Sequence, residues 1–340
     1  MTRHVRVKTK KLSTTASRQE LLRRVFLTAA ACVTGVVLAA SILGGRSASA
    51  ASSAATRPIS HSVIEIRTCR TVIDGVRIRT PRLREMVDGC VQGLSGESDP
   101  VAAWRQYVRP GQKVLLKFSH IGGEYPPADP AMLKVLLDAL QAAGCKLGDI
   151  TVVDCPAAQM VEGLRRAPAG WSSKRIRVCD SSEQIRQYLD DIDVIVNIPT
   201  LSDHSLAGLS GALINVSLPL IRKPARYFDS RIHRAIVDIG SDAQLSAKTK
   251  LTIVNALWVL VDGAPVAKAE NLVCSRSVWA ATDMVAVDAL ALRWLERFRR
   301  LRGLGGLADS GRAARYVALA GRRGLGQADL RRIVKRKHEI

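Results

Sequence analysis

The chain has 340 residues, enough for one large α/β domain or two small ones with an ample core. It carries 51 Lys and Arg against 30 Asp and Glu, a net charge of +21 that first suggests a nucleic-acid binder. The charge lies at the ends, and this excludes nucleic acid as the leading partner: residues 1–50 hold 9 basic and 1 acidic residue, residues 293–340 hold 14 and 4, and the body between holds 28 and 25. A nucleic-acid face needs a basic stripe with stacking aromatics, and aromatics make up only 4% of the chain. A basic C-terminal part, 293–340, suits contact with an anionic membrane surface, or plain solvation of exposed helices.

From the N-terminus, a long basic stretch leads to Arg23-Arg24-Val25-Phe26-Leu27, followed by an uncharged run to Leu43 and then Ala48-Ser49-Ala50. Paired arginines, Phe26 and Leu27, the uncharged run and an A-x-A site ending at Ala50 together read as a twin-arginine export signal over 1–50. The twin-arginine export machinery is then a partner, and the expected location is the periplasm or the outer face of the cytoplasmic membrane. Two other readings are an ordinary secretory signal and an uncleaved anchor; the run is rich in Ala and Thr, weakly apolar for a permanent span. Residues 51–60, rich in Ala and Ser, read as a flexible tether, and 61–337 as the α/β domain.

Beyond the tether, Val63–Arg67 and Val72–Arg79 read as short strands. Pro81 opens a helix to about Leu94, and Asp99-Pro100 another through Tyr107. Lys113–Phe118 is a buried strand after the Pro110-Gly111 turn. Pro130–Ala143 places Met132, Leu133, Leu136, Leu137 and Leu140 on one helical face ending at Gly144. Then follow strand Ile150–Val153, helix Val161–Arg166, strand Ile176–Cys179, helix Ser182–Leu189, strand Val194–Ile198, a loop from Pro199 to Gly208, strand Leu251–Val261 and helix Met284–Phe298. Arg312–Lys337 reads as helix, glycine turn, short helix and edge strand. Alternation of helices with wholly apolar strands implies an α/β fold, a mostly parallel sheet with helices on both faces.

Six cysteines follow the leader: Cys69, Cys90, Cys145, Cys155, Cys179 and Cys274. None forms C-x-x-C, so a local metal or iron–sulfur site has no support; disulfides and buried free thiols both fit.

In open α/β sheets, sites form beyond the carboxyl ends of the strands. That rule selects Lys117 with Ser119 and His120, Asp154 with Cys155, the segment from Pro199 to His204, and Asn255; Asn215 sits on the segment after His204. His204 suits a general acid/base or a ligand, since imidazole titrates near neutrality, and equally a turn cap. Asp154 suits orientation of a partner, and catalysis with His204. Lys117 suits holding an anionic group, or pairing with Glu124 or Asp154, and Asn215 a ligand amide or phosphate, or a neighbouring loop. The glycines after His120 suit a ligand lining or, more commonly, a flexible turn; those at 303–306 and 324–326 are weak phosphate-loop signals, and no G-x-S-x-G occurs.

These strings in this order resemble the domain of unknown function 362 family, in its exported twin-arginine branch, from about Cys69 to Lys337. They are Trp104-Arg105, Pro110 to Val114, Lys117, Leu140 to Gly144, Ile150 to Asp154, Asn197 through His204 to Asn215, Leu251 to Val254, Asp283, Ala286-Val287-Asp288, and Gly324 to Gly326. The resemblance implies an α/β domain, sometimes fused to ferredoxin-like modules, with no established general reaction. The chain departs from the family at Ser119, Ser202, Ile214, Asn255 and Ala264, where the family usually has Asn, Lys, Lys, Asp and Gly. Losing two lysines implies weaker anion binding, since a hydrogen bond to a charged group contributes roughly 1.5–3 kcal/mol. The ferredoxin cysteines are absent, so a ferredoxin-type iron–sulfur cluster is not carried over. Three expectations follow: a small-ligand or catalytic site on Lys117, Asp154, His204 and Asn215; a degenerate binding or scaffold protein at the membrane surface; or a redox accessory protein using its cysteines.

Overall fold

A computed structural model describes residues 62–75, 77–119, 121–124 and 128–340. The leader with Arg23, Arg24, Phe26, Leu27, Ala48 and Ala50, the tether and His120 lie outside the described residues.

The chain opens with β1 (Ser62–Thr68), a hairpin of β2 (Ile73–Asp74) and β3 (Arg77–Ile78), and helices α1 (Thr80–Ser95) and α2 (Pro100–Arg105). Next come β4 (Val114–Phe118), β5 (Gly122–Gly123), α3 (Asp129–Ala142) and β6 (Ile150–Val153). A hairpin of β7 (Trp171–Val178) and β8 (Ser181–Arg186) leads to β9 (Val194–Ile198), β10 (Thr200–His204), β11 (Gly208–Ser210) and α4 (Ala212–Asn215). Helices α5 (Ile232–Gly240) and α6 (Ala243–Lys248) precede β12 (Thr249–Leu260), β13 (Val266–Ala267) and β14 (Leu272–Ala281). Helices α7 (Met284–Leu301) and α8 (Arg315–Arg322) and strand β15 (Ile333–Glu339) close the fold.

One nine-stranded sheet runs in the order β15-β1-β14-β12-β9-β4-β6, with β10 and β11 branching beside β12. Pairings of β4 with β6 and β9, of β12 with β9 and β10, and of β1 with β15 are parallel; β14 is antiparallel to β1 and β12. The fold is therefore α/β with a mostly parallel mixed sheet. Apolar side chains alternate between its faces, giving one core under α1, α2 and α3 and another under α4, α5, α7 and α8. Among the described residues no helix is long and apolar enough to cross a membrane.

Two expected helices are not helices. Ser182–Leu189 forms β8 and a 3-10 turn, because Glu183 and Ile185 bury alternately against β7. Residues 161–166 form a turn at Gly163 and a bridge from Arg165 to Thr151. The segment read as a loop from Pro199 to Gly208 holds the β10–β11 hairpin.

Candidate functional site

The register of three neighbouring strands assembles the polar cluster. Lys117 on β4 pairs with Val153 on β6 and with Asn197 on β9, so Asp154, one residue past Val153, falls beside Lys117 at the carboxyl ends. Lys117 is 1% exposed. Its ammonium donates to Phe118 O at 2.7 Å and Asn215 Oδ1 at 2.9 Å, and meets Asp154 Oδ2 at 2.7 Å. Three protons find three acceptors, which satisfies the buried cation completely. Burial pushes the Lys117 pKa down; the Asp154 carboxylate pulls it back up, and the Arg186 charge adds to the lowering.

Asn215 closes the cluster. Its Nδ2 donates to Lys117 O at 3.0 Å and Asn197 Oδ1 at 2.8 Å, while Asn197 Nδ2 donates to Ala212 O at 3.0 Å. Asn215 sits on α4 because Asp288 holds the start of that helix. Both carboxylate oxygens accept backbone N–H groups, from Ala212 at 2.6 Å and Leu213 at 3.0 Å, and Tyr316 Oη lies 3.2 Å away. Asn197 is the residue the sequence reading did not nominate. Its signal was an amide inside the otherwise apolar run Val194-Ile195-Val196-Asn197-Ile198, at the height of the lone Lys in the neighbouring strand.

Asp154 carries the opening to solvent. Its φ of 57° is left-handed, a conformation that costs a non-glycine residue on the order of 1 kcal/mol and that Asp tolerates better than most. Its side chain is half exposed and, among the described residues, has Lys117 as its one ionic partner. It lines a cleft of about 960 Å³ together with Cys155, Gln159, Glu162, Arg165 and Arg166. Arg165 is committed to Asp191 at 2.5 Å. Tyr188 is buried nearby; burial and then the Asp154 charge push its phenol up, which keeps it a neutral donor.

His204 is not part of this cluster. Its Nδ1 accepts from Leu206 N and Ala207 N, both at 3.1 Å, so it caps the β10–β11 turn. Burial and then His233 push its pKa down. The nitrogen that would act as a base is spent on two backbone donors, and no bond joins His204 to Lys117, Asp154 or Asn215. Two of the positions that depart from the family are also structural here: Ser119 Oγ accepts from Thr200 N at 3.2 Å, and Asn255 is wholly buried on β12. Among the described residues no group of three or more His, Cys, Asp and Glu side chains is arranged to hold a metal ion.

A mostly parallel sheet with a polar cluster at its strand ends, opening through one carboxylate to a cleft, defines an α/β protein of the strand-end-site class. The chain belongs to the family described as "Domain of unknown function (DUF362)", whose model matches residues 114–293. That span holds β4 to β14, the cluster and most of α7; β1 and β15 flank it on the sheet edge. No curated protein matches the chain. Among solved structures, the lactate racemase apoprotein from Thermoanaerobacterium thermosaccharolyticum is similar with a TM-score of 0.36 and 12% identity, over 68% of this chain. The chain spans 56% of that protein's length.

Proposed function

We propose that this protein is an exported member of the family, of the twin-arginine branch, whose strand-end cleft binds a small anionic ligand through exchange at the Lys117–Asp154 pair. The observation that carries the reading is a fully buried ammonium whose one counter-ion among the described residues is a half-exposed carboxylate on the cleft. An anion reaches Lys117 by taking the place of Asp154. The ligand's own charge then replaces the carboxylate, and the Asp154 side chain swings into solvent with its second oxygen available for proton transfer. Such an exchange avoids the several kcal/mol that an unpaired buried charge costs. Arg186, held 4.3 Å over the Trp171 ring, leaves the pocket positive once Asp154 has moved.

Export rests on Arg23-Arg24 with Phe26 and Leu27, and on Ala48 and Ala50 as the processing site. All six described cysteines are free. Burial pushes Cys155 and Cys274 up to about 11, the opposite of a reactive thiolate. A redox accessory role draws no support from such groups.

The test is a thermal-shift and calorimetric screen of inorganic phosphate and small carboxylates against the wild type, Lys117→Met and Asp154→Asn. We expect a hit that Lys117→Met abolishes and that Asp154→Asn binds at least as tightly, because the internal competitor is weakened. A hit that binds Lys117→Met as well as wild type rejects the reading.

A further inference from the structure

Every exposed position on α7 is a cation apart from its last residue. Arg293, Arg297 and Arg300 stand at i, i+4 and i+7, one stripe of a helix, and the remaining exposed residue is Leu301. Among the described residues none of the three guanidinium groups has an ion pair or hydrogen bond. The helix lies over β1 and β14: Trp294 meets Trp279 of β14 edge-on at 4.7 Å, and Phe298 meets Trp294 at 5.8 Å. On the same side of the sheet, β15 adds two more. Lys335 and Lys337 pair in register with Ile64 and Ile66, whose side chains belong to the core beneath α7, while Arg336 and His338 turn to the opposite face and meet Glu65. Lys335 and Lys337 are exposed, and among the described residues their ammonium groups have no partner.

The nearby acids are already occupied. Glu296 accepts from Leu307 N at 3.0 Å, Asp329 pairs with Arg331 at 2.9 Å, and Glu339 pairs with Arg70 at 2.8 Å. Among the described residues, five cations without a salt bridge therefore share one side of the molecule and outweigh the charge of Glu296 on the same helix, with Leu301 55% exposed and the half-buried Trp294 and Phe298 beside them.

We infer that the α7–β15 face docks on an anionic phospholipid surface, through the juxtaposition of Arg293, Arg297, Arg300, Lys335 and Lys337 with the apolar flank at Leu301. Each such cation near an anionic membrane strengthens binding roughly fivefold, and an apolar edge beside them suits the boundary of headgroup and acyl chain. A nucleic acid fits less well. The one aromatic among the strongly exposed apolar residues is Phe228, which lies near α5 rather than on this face, so the bases find no stacking platform here.

The full chain carries its own basic leader, so the experiment compares variants and locates the contact. Sedimentation with phosphatidylglycerol-containing vesicles and with pure phosphatidylcholine vesicles is measured for the wild type and for Arg293→Glu/Arg297→Glu/Lys335→Glu, together with hydrogen exchange on anionic vesicles. We expect salt-sensitive binding to the anionic vesicles alone, a loss of about 100-fold or more in partitioning for the triple variant, and exchange protection over residues 293–301 and 333–339. The replaced side chains are exposed, so an unchanged melting transition certifies the variant's fold. Equal partitioning of variant and wild type, protection elsewhere, or a duplex DNA affinity that the three changes weaken while vesicle binding is absent would overturn the inference. Phosphate binding at Lys117 is unaffected by these changes, so the two readings fail separately.

Discussion

Asp288 is wholly buried, and burial pushes its carboxyl up from 3.8 to about 7, against the pull of the Leu213 and Ala212 N–H groups and Tyr316. A carboxyl raised in the fold holds a proton that the unfolded chain has released. Its contribution to stability is fully present below pH 3.8 and is lost as the pH rises through about 7. We expect Asp288→Asn to cost about 1–3 kcal/mol, since one amide oxygen cannot serve both N–H donors. We also expect the stability gap between wild type and variant to narrow from about pH 4 to about pH 7. Urea unfolding midpoints across that range measure both, and a gap independent of pH would show that Asp288 does not titrate there. In the sequence Asp288 fits the family's pattern without showing a role, because its partners lie 76 and 75 residues away.

At the scale of elements, α4 is a four-residue helix held from outside, and its position decides whether Asn215 meets Lys117. Gly211 precedes it where a Cβ would come within 2.2 Å of Asp288 Oδ1, while a Cβ at Gly148 would meet nothing within 4 Å. Gly211→Ala is therefore expected to destabilise by about 1–3 kcal/mol, the usual cost of overpacking, with Gly148→Ala close to neutral. Denaturant unfolding of the two variants decides it, and equal midpoints would remove the steric account of the Asp288 clamp. Elements with one strong signal were legible in the sequence. Ile150–Val153 and Val194–Ile198 are apolar strands bounded by polar residues, and they carry the register that brings Lys117, Asp154 and Asn215 together. The hairpin β7–β8 was half missed because Ile185 and Leu189, four apart, imitate a helical face while pairing with β7 fixed the strand. His204 was drawn into the expected site because it follows a strand end in sequence. The β10–β11 hairpin then carries it away from the β4–β6–β9 ends, a turn that local composition did not signal.

For the whole molecule, the two ends of the described chain close the fold together: β15 lies parallel to β1 along seven residue pairs, outside the span of the family model. Arg336 reaches across β1 to the buried Glu65 carboxylate at 3.1 Å, so unfastening the C-terminal strand would strand a charge in the interior. A sheet closed in this way shields thiols on both of its sides: Cys69, Cys90, Cys145 and Cys155 lie in one core, Cys179 in the other, and Cys274 is partly buried. Folding before export would carry these free thiols past an oxidising compartment's reagents, whereas a chain crossing unfolded would present all of them at once. We expect alkylation of native protein, mapped by mass spectrometry, to mark the five buried sites slowly and at a common rate set by global unfolding, and the partly buried Cys274 faster than these. In denaturant all six should react at once. If the chain is exported as proposed, protein recovered from outside the cell should keep the six reduced, and a disulfide between any two of them would show that they met an oxidant before the fold had closed.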